Sequence, residues 1–317
     1  MSGVMTTTVD HLIRSDLWSQ KLKEIFLADL FAMRYVDMIT DFPDGNVLHI
    51  PSIGQAEIQN YEEGEAIRYT APDTGDFTFR ITDYVASATY ITNKMKQDSF
   101  YTDRLVAQFV PKQARAIAEA MEQGALAVGP SGQTASGLNA INGASHRYVA
   151  SGTGGVLVPE DFAYARYALQ MANVPMTNLV AIVDPSAEFN MNTLTNITNV
   201  SFNPRWEGII RDGIGTGMQF RYNVYGFDVY ESMFLPKGIA ETINGKSVTT
   251  GVANQFFSTA GDALPFVGAV RQPPKVESEY NKDFQREEYV TTARWGFGFY
   301  RPEGLVTILS NSAVVSP

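Results

Sequence analysis

Between Asp41 and Ala88 the chain carries two stretches of alternating polar and apolar residues, Val47-Leu48-His49-Ile50 and Phe77-Thr78-Phe79-Arg80-Ile81. They flank a polar, glycine-containing segment from Gly54 to Gly75. Alternation with a period of two is the pattern of strands with one buried face, and Pro43-Asp44-Gly45 supplies the turn that leads into the first of them. The pair reads as a long hairpin. A two-stranded ribbon is marginal in water by itself, and this one has too few large apolar residues for a core of its own. The fold must give this arm something else to rest on.

Helical periodicity is strongest from Ser99 to Val128, where Val106, Val110, Ala114, Ile117, Met121 and Ala125 step by three or four among good helix formers. Pro111 removes one backbone donor and disfavours helical geometry at Val110, so the spacing predicts a long helix with a kink, or two in succession. A second helical pattern covers residues 15 to 40, with Leu22, Ile25, Phe26, Leu30, Met33 and Val36 on one face and Ser15 or Asp16 as N-cap. Residues 129 to 155, rich in Gly, Ser, Ala and Asn, read as a mobile surface loop. Pro159-Glu160-Asp161 opens a helix to about Asn173, Leu179 to Val183 is a buried strand, and Asp184-Pro185-Ser186 starts another helix. From Ile209 to Leu235, and again from Phe266 to Ile308, strand and turn signals dominate. Helices and strands alternate irregularly, without the βαβ rhythm of a doubly wound enzyme, so the fold class is α+β.

A chain of 317 residues can bury a substantial core. Charged residues make up 18%, below the roughly 25% of an ordinary soluble domain, and much of the polar surface is Thr, Asn, Gln, Gly and Tyr. Such a surface desolvates cheaply, which suits large subunit contacts. Cysteine is absent, which excludes disulfides, zinc–thiolate sites and a thiol nucleophile. No signal-peptide pattern and no run of about 18 apolar residues occurs, so no membrane partner is expected and the chain is expected in the cytosol. A net charge of −10 argues against reading nucleic acid, which needs clustered Lys and Arg.

Gly213, Gly215 and Gly217 could suggest a phosphate loop, but a dinucleotide fingerprint needs a helix directly after the glycines, and Phe220 to Tyr230 reads as strand. His11, His49 and His146 lie far apart, in no metal-binding or triad spacing. Glu62, Glu63 and Glu65, near Asp73 and Asp76, could be a carboxylate acid/base site or a calcium loop; the plainer reading is an acidic, solvated loop tip. Residues 41 to 88 hold nine acids against Arg68 and Arg80, a net of −7 out of the chain's −10. No catalytic group, metal or cofactor is expected.

The order of these elements resembles the major capsid proteins of tailed bacteriophages, whose fold is shared by encapsulin shells and the floor of herpesvirus capsids. Two stretches carry the resemblance most closely. One runs from Gly213-Ile214-Gly215-Thr216-Gly217 through Val224-Tyr225-Gly226-Phe227-Asp228-Val229-Tyr230 to Leu235-Pro236, and looks like the family's axial-domain turn and strand. The other, Arg301-Pro302-Glu303-Gly304-Leu305, is similar to the final strand, which in the family returns the chain to the peripheral domain.

The resemblance implies an N-arm (1–40), an extended E-loop (41–88), a peripheral domain with a spine helix (89–128 and 269–317) and an axial domain (129–268). It implies a head protein that self-assembles into pentamers and hexamers of an icosahedral shell around double-stranded DNA, assembled in the host cytoplasm and located in the virion capsid. A portal protein and a decoration protein are implied partners. Because about 14 residues precede the first helical signal, scaffolding is expected to be a separate protein. An encapsulin-type compartment is the alternative, and a carboxylate-dependent hydrolase a remote one.

The acidic arm, with Glu62, Glu63, Glu65, Arg68, Asp73 and Asp76, is expected to lie on a neighbour's cations around the spine helix: Lys94, Lys96, Arg104, Lys112 and Arg115. In one branch of the family an E-loop lysine forms an isopeptide bond with a neighbour's asparagine. Residues 41 to 88 contain no lysine, so no such cross-link is expected.

Overall fold

Strands dominate the structure, a computed structural model that describes residues 32–39, 47–53, 63, 74–98, 102–193 and 220–312. In chain order the elements are β1 (Val36–Met38), β2 (Val47–Ile53), β3 (Thr74–Arg80), β4 (Asp83–Thr92), α1 (Asn93–Asp98) and α2 (Thr102–Gly132). Next come β5 (Ala140–Ile141), β6 (Ala144–Ser145), β7 (Arg147–Val149), α3 (Pro159–Met171), β8 (Leu179–Val183) and α4 (Pro185–Thr193). The last part holds β9 (Phe220–Val224), β10 (Phe227–Glu231), β11 (Ile239–Ile243), β12 (Lys246–Ser258), β13 (Phe266–Asn281), β14 (Arg286–Phe299) and β15 (Leu305–Asn311).

Two sheets organise these strands. A four-stranded sheet has the order β1-β13-β14-β4, and a seven-stranded sheet has the order β7-β15-β12-β8-β10-β9 with β11 paired to β12. The hairpin β2–β3 forms a separate two-stranded ribbon.

The centre of the seven-stranded sheet is buried on both faces. Leu179, Ala181 and Val183 of β8 face α3, packing with Phe162, Ala165, Leu169, Phe227, Phe256 and Ile308. Val180 and Ile182, one residue out of phase, face the C-terminal half of α2 through Ala125, Leu126, Phe257 and Leu305. This two-sided burial explains the unbroken Leu-Val-Ala-Ile-Val run. Phe162, Phe227 and Phe256 meet edge to face, with centroids 5.0 to 6.3 Å apart, and each such side chain contributes roughly 1.5–3 kcal/mol by burial. At the start of α3, the Asp161 carboxylate accepts hydrogen bonds from the N–H of Val158, the N-cap residue, and from that of Ser151 in the preceding loop, each at 3.0 Å.

Helix α2 is one element of 31 residues that passes through Pro111 and continues past Val128 to Gly132. Of the two readings at Pro111, one kinked helix or two in succession, the second is corrected, as is the loop beginning at residue 129. Glycine serves close approach here: a Cβ on Gly129 would lie 2.5 Å from Leu305 Cδ2, and one on Gly132 would lie 2.6 Å from Phe299 Cδ1. The segment after α2 is built structure. Asn142 and Gly143, both at positive φ, make the two-residue turn of the β5–β6 hairpin, and β7 joins β15 in parallel.

The N-terminal helical pattern also gives way. Ala32–Tyr35 form a 3-10 turn, and Val36 to Met38 pair in parallel with Phe266 to Gly268 at the edge of the four-stranded sheet. Val36 is buried there, and the Tyr35 ring meets Tyr230 and Phe257. Sheet pairing and ring packing outweigh a helical preference in so short a segment. Residues 15–31 of that pattern lie outside the described residues. Arg301 to Ile308, which by the resemblance returns the chain to the peripheral domain, passes through a 3-10 turn into β15, which lies between β7 and β12 in the seven-stranded sheet.

Candidate intersubunit site

The β2–β3 hairpin pairs Val47 with Arg80 through Ile53 with Thr74, and among the described residues its burial is deepest at the root. Phe79 and Ile81 are buried against Val267 and Ala269, and Phe77 stacks edge-on with Tyr300 at 5.2 Å. The run Arg294-Trp295-Gly296-Phe297-Gly298-Phe299 makes this junction possible. On one face of β14, Trp295 packs on Ile117 and Met121 of α2, and Phe297 on Gly124. On the other face, a Cβ on Gly296 would lie 2.8 Å from Arg80 O and from Ile81 Cα, and one on Gly298 would lie 2.8 Å from Phe79 Cδ2. Glycine at alternate positions lets the arm cross the sheet. One face of the ribbon, with Val47, His49, Pro51, Asp76, Thr78 and Arg80, is exposed, while on the other burial falls from Phe79 through half-buried Phe77 and Ile50 to exposed Gly75. A ribbon whose inner face loses its cover away from the junction has the form of an arm that reaches outward.

Of the acidic residues singled out in this arm, Glu63 is exposed, and Asp76 meets His49 within the hairpin, Oδ2 to Nδ1 at 2.7 Å. Glu62, Glu65, Arg68 and Asp73, like Gly213 to Gly217, lie outside the described residues. Among the cations, Lys94 on α1 and Lys112 on α2 are exposed. Arg115 pairs with Glu119 one turn on, at 2.7 Å, and Lys96 pairs with Glu287, whose carboxylate also accepts the Tyr289 hydroxyl. Arg104 lies in the N-terminal half of α2. The five cations therefore differ: Lys94, Lys112 and Arg115 are exposed, and Arg115 and Lys96 are engaged with acids of their own chain.

The four-stranded sheet offers an open face beside them. Tyr84 and Tyr90 of β4 are 62% and 58% exposed. At the β13–β14 tip, the Arg286 guanidinium lies 4.6 Å from the Tyr90 ring centre and 4.7 Å from that of Phe284. Aromatic rings with arginine are the composition of strong protein–protein contacts.

Sequence reasoning missed a buried polar joint at the end of α2. Arg147, 3% exposed at its side chain, forks onto Glu241, with Nη2 to Oε1 at 2.7 Å and Nε to Oε2 at 3.2 Å. It also donates to the Pro130 carbonyl in the last turn of α2 at 3.0 Å, while the Ser136 N–H donates to Glu241. Burial alone would raise the Glu241 pKa, but hydrogen bonds from Arg147 and Ser136 hold it below the ordinary carboxylate value. No local signal marks this pair, because its members are 94 residues apart.

A cavity of about 380 Å³ is lined by Tyr148, Glu160, Asp161, Tyr164 and Lys246. Its Asp161 carboxylate is occupied by backbone N–H groups of Ser151 and Val158, and burial raises its pKa despite them. That oxygen pair is committed to capping α3 and gives Glu160 no acid/base counterpart.

The fold has solved counterparts. It is similar to the capsid of the cyanophage P-SCSP1u, with a TM-score of 0.67 and 16% identity over 87% of each chain. Mycobacterium phage Che8 gives a TM-score of 0.63 at 15% identity over 90% of this chain and 92% of that one. A virus-like particle from Pyrococcus furiosus gives 0.51 at 13% identity over 93% and 99%. No curated protein matches the sequence. The neighbours share the fold, the tailed-phage capsid fold. The model of the family described as phage capsid protein matches residues 76–308, from β3 at the hairpin root through most of β15. With the match spanning both sheets and the long helix, the chain belongs to the phage capsid protein family, as a structural subunit of a virion shell.

Proposed function

We propose that this chain is the major head protein of a tailed phage, assembling into pentamers and hexamers of an icosahedral shell around double-stranded DNA. The observation that carries this reading is the β2–β3 arm, whose inner face is buried at Phe79 and loses its cover toward Gly75 while its outer face is exposed, in a chain of the phage capsid family. Subunits in closed rings contact one another heterologously, and an arm of this form suits such contacts. In this reading α2 is the spine helix of a peripheral domain built on the four-stranded sheet. The seven-stranded sheet is the axial domain, with β15 belonging to it. Assembly takes place in the host cytoplasm with a separate scaffolding protein and a portal, and a decoration protein is a further possible partner. The net negative charge lets the genome be enclosed without being held tightly.

The acidic arm lies on an adjoining subunit, with exposed Lys94 and Lys112 as its first contacts and Arg104, Lys96 and Arg115 close by in sequence. Each exposed pair contributes only about 0–1 kcal/mol, yet repetition around a shell sets register. Expression of the full chain with its neighbouring genes tests the whole reading. Closed icosahedral particles containing DNA are expected, and particles filled with an enzyme would favour the encapsulin alternative. The triple change Glu62→Lys, Glu63→Lys and Glu65→Lys is expected to impair assembly, and unchanged yield and shape would remove the electrostatic part.

A further inference from the structure

The end of α2 is fastened to the seven-stranded sheet by a set of directed polar contacts. Gln255 Nε2 donates to the Leu126 carbonyl at 2.5 Å, Arg147 Nη1 to the Pro130 carbonyl at 3.0 Å, and Gln133 Nε2 to the His146 carbonyl at 3.2 Å. All three donors are buried. Among them Arg147 alone carries a charge. Its other nitrogens are fixed by both oxygens of Glu241 on β11, a strand paired to the sheet through β12. A bidentate guanidinium–carboxylate fork constrains orientation as well as distance. One side chain thus ties three elements, β7, β11 and the last turn of α2, in a fixed relative geometry.

Nearer the middle of the helix the contacts are of another kind. Gln113 is buried in α2, yet both polar atoms of its amide lack a hydrogen-bond partner, as does the Thr291 hydroxyl on the sheet that α2 covers. Packing there is less directed than at the C-terminal joint. At 1.5 Å per residue, 31 residues make a lever of roughly 46 Å, whose far end moves about 0.8 Å for each degree of tilt at the joint. The four-stranded sheet and the arm root ride on that lever.

Resting on the shell reading above, we infer that Arg147 and Glu241 are positioning residues that set the angle between α2 and the seven-stranded sheet, and thereby the curvature at which subunits close. The pair serves uniform particle size more than subunit stability. Replacing a buried ion pair by apolar side chains of similar volume is often neutral for folding, whereas removing one partner strands a charge.

The test compares particles of wild-type chain with those of Arg147→Met/Glu241→Met and Arg147→Lys, reading subunit thermal unfolding separately from particle diameter by electron microscopy. The double variant is expected to unfold near the wild-type temperature and to form shells of mixed diameter, with open or tubular forms. Arg147→Lys keeps the charge but loses the fork, and it decides the matter if the double variant does not fold; mixed diameters are expected again. Uniform wild-type diameter in folded variants would overturn the inference. Absence of particles from the wild-type chain itself would instead sink the shell reading.

Discussion

At the residue scale, the buried charges and the imidazole make the chain acid-sensitive in two separate windows. His146 is fully buried, with Nδ1 3.1 Å from the Ala144 carbonyl. Burial lowers its pKa below the ordinary histidine value, outweighing the carbonyls of Ala144 and Glu303 that favour the charged form. The folded chain therefore binds this proton less readily than the unfolded chain. Stability from His146 is complete above the ordinary value and falls as pH drops through about 6.5, by at most about 1.4 kcal/mol per pH unit. Unfolding temperatures should be flat at and above neutrality and decline below it, and His146→Gln, which cannot ionise, should flatten that first decline. An unchanged slope in the variant would count against this account. Glu241 acts in the lower window: its depressed pKa stabilises the fold above the ordinary carboxylate range, and the contribution is lost as pH falls below it.

At the element scale, the arm and the sheet it crosses depend on two glycines with different neighbours. A Cβ on Gly296 meets backbone atoms of Arg80 and Ile81, which cannot turn aside, whereas one on Gly298 meets the side chains of Phe79 and Val267. Gly296→Ala should therefore cost more than Gly298→Ala, within the roughly 1–3 kcal/mol typical of overpacking. Denaturant unfolding of both variants checks the order, and equal costs would contradict it. Much at this scale was legible in the sequence. The alternation around Phe79 found the hairpin, Pro159 and Asp161 marked the start of α3, and the run from Leu179 to Val183 identified a two-sided strand. Other elements were not, for physical reasons. Gly129 and Pro130 look like a helix stop, yet the rings of Phe266 and Phe299 need glycines to approach α2 there. Asn142-Gly143 is a hairpin turn whose flanking strands are two residues long, too short for any periodicity. The Arg147–Glu241 joint is a contact across 94 residues, which no local pattern encodes.

At the scale of the whole molecule, the account concerns what a single subunit leaves unfinished. Residues 41 to 88 contain no lysine, so no isopeptide bond can start from the arm. A denaturing gel of mature particles should show one monomer band, and a ladder of covalent oligomers would refute that expectation. The central claim is that the arm beyond its root gains its order from an adjoining copy, and hydrogen exchange compared between free subunits and assembled particles tests it most directly. The account predicts that backbone amides of β2 and of residues 74–78 exchange rapidly in the free subunit and become protected in the particle, while Phe79, held at the root, is protected in both. Equal protection of the whole arm in both states would contradict it.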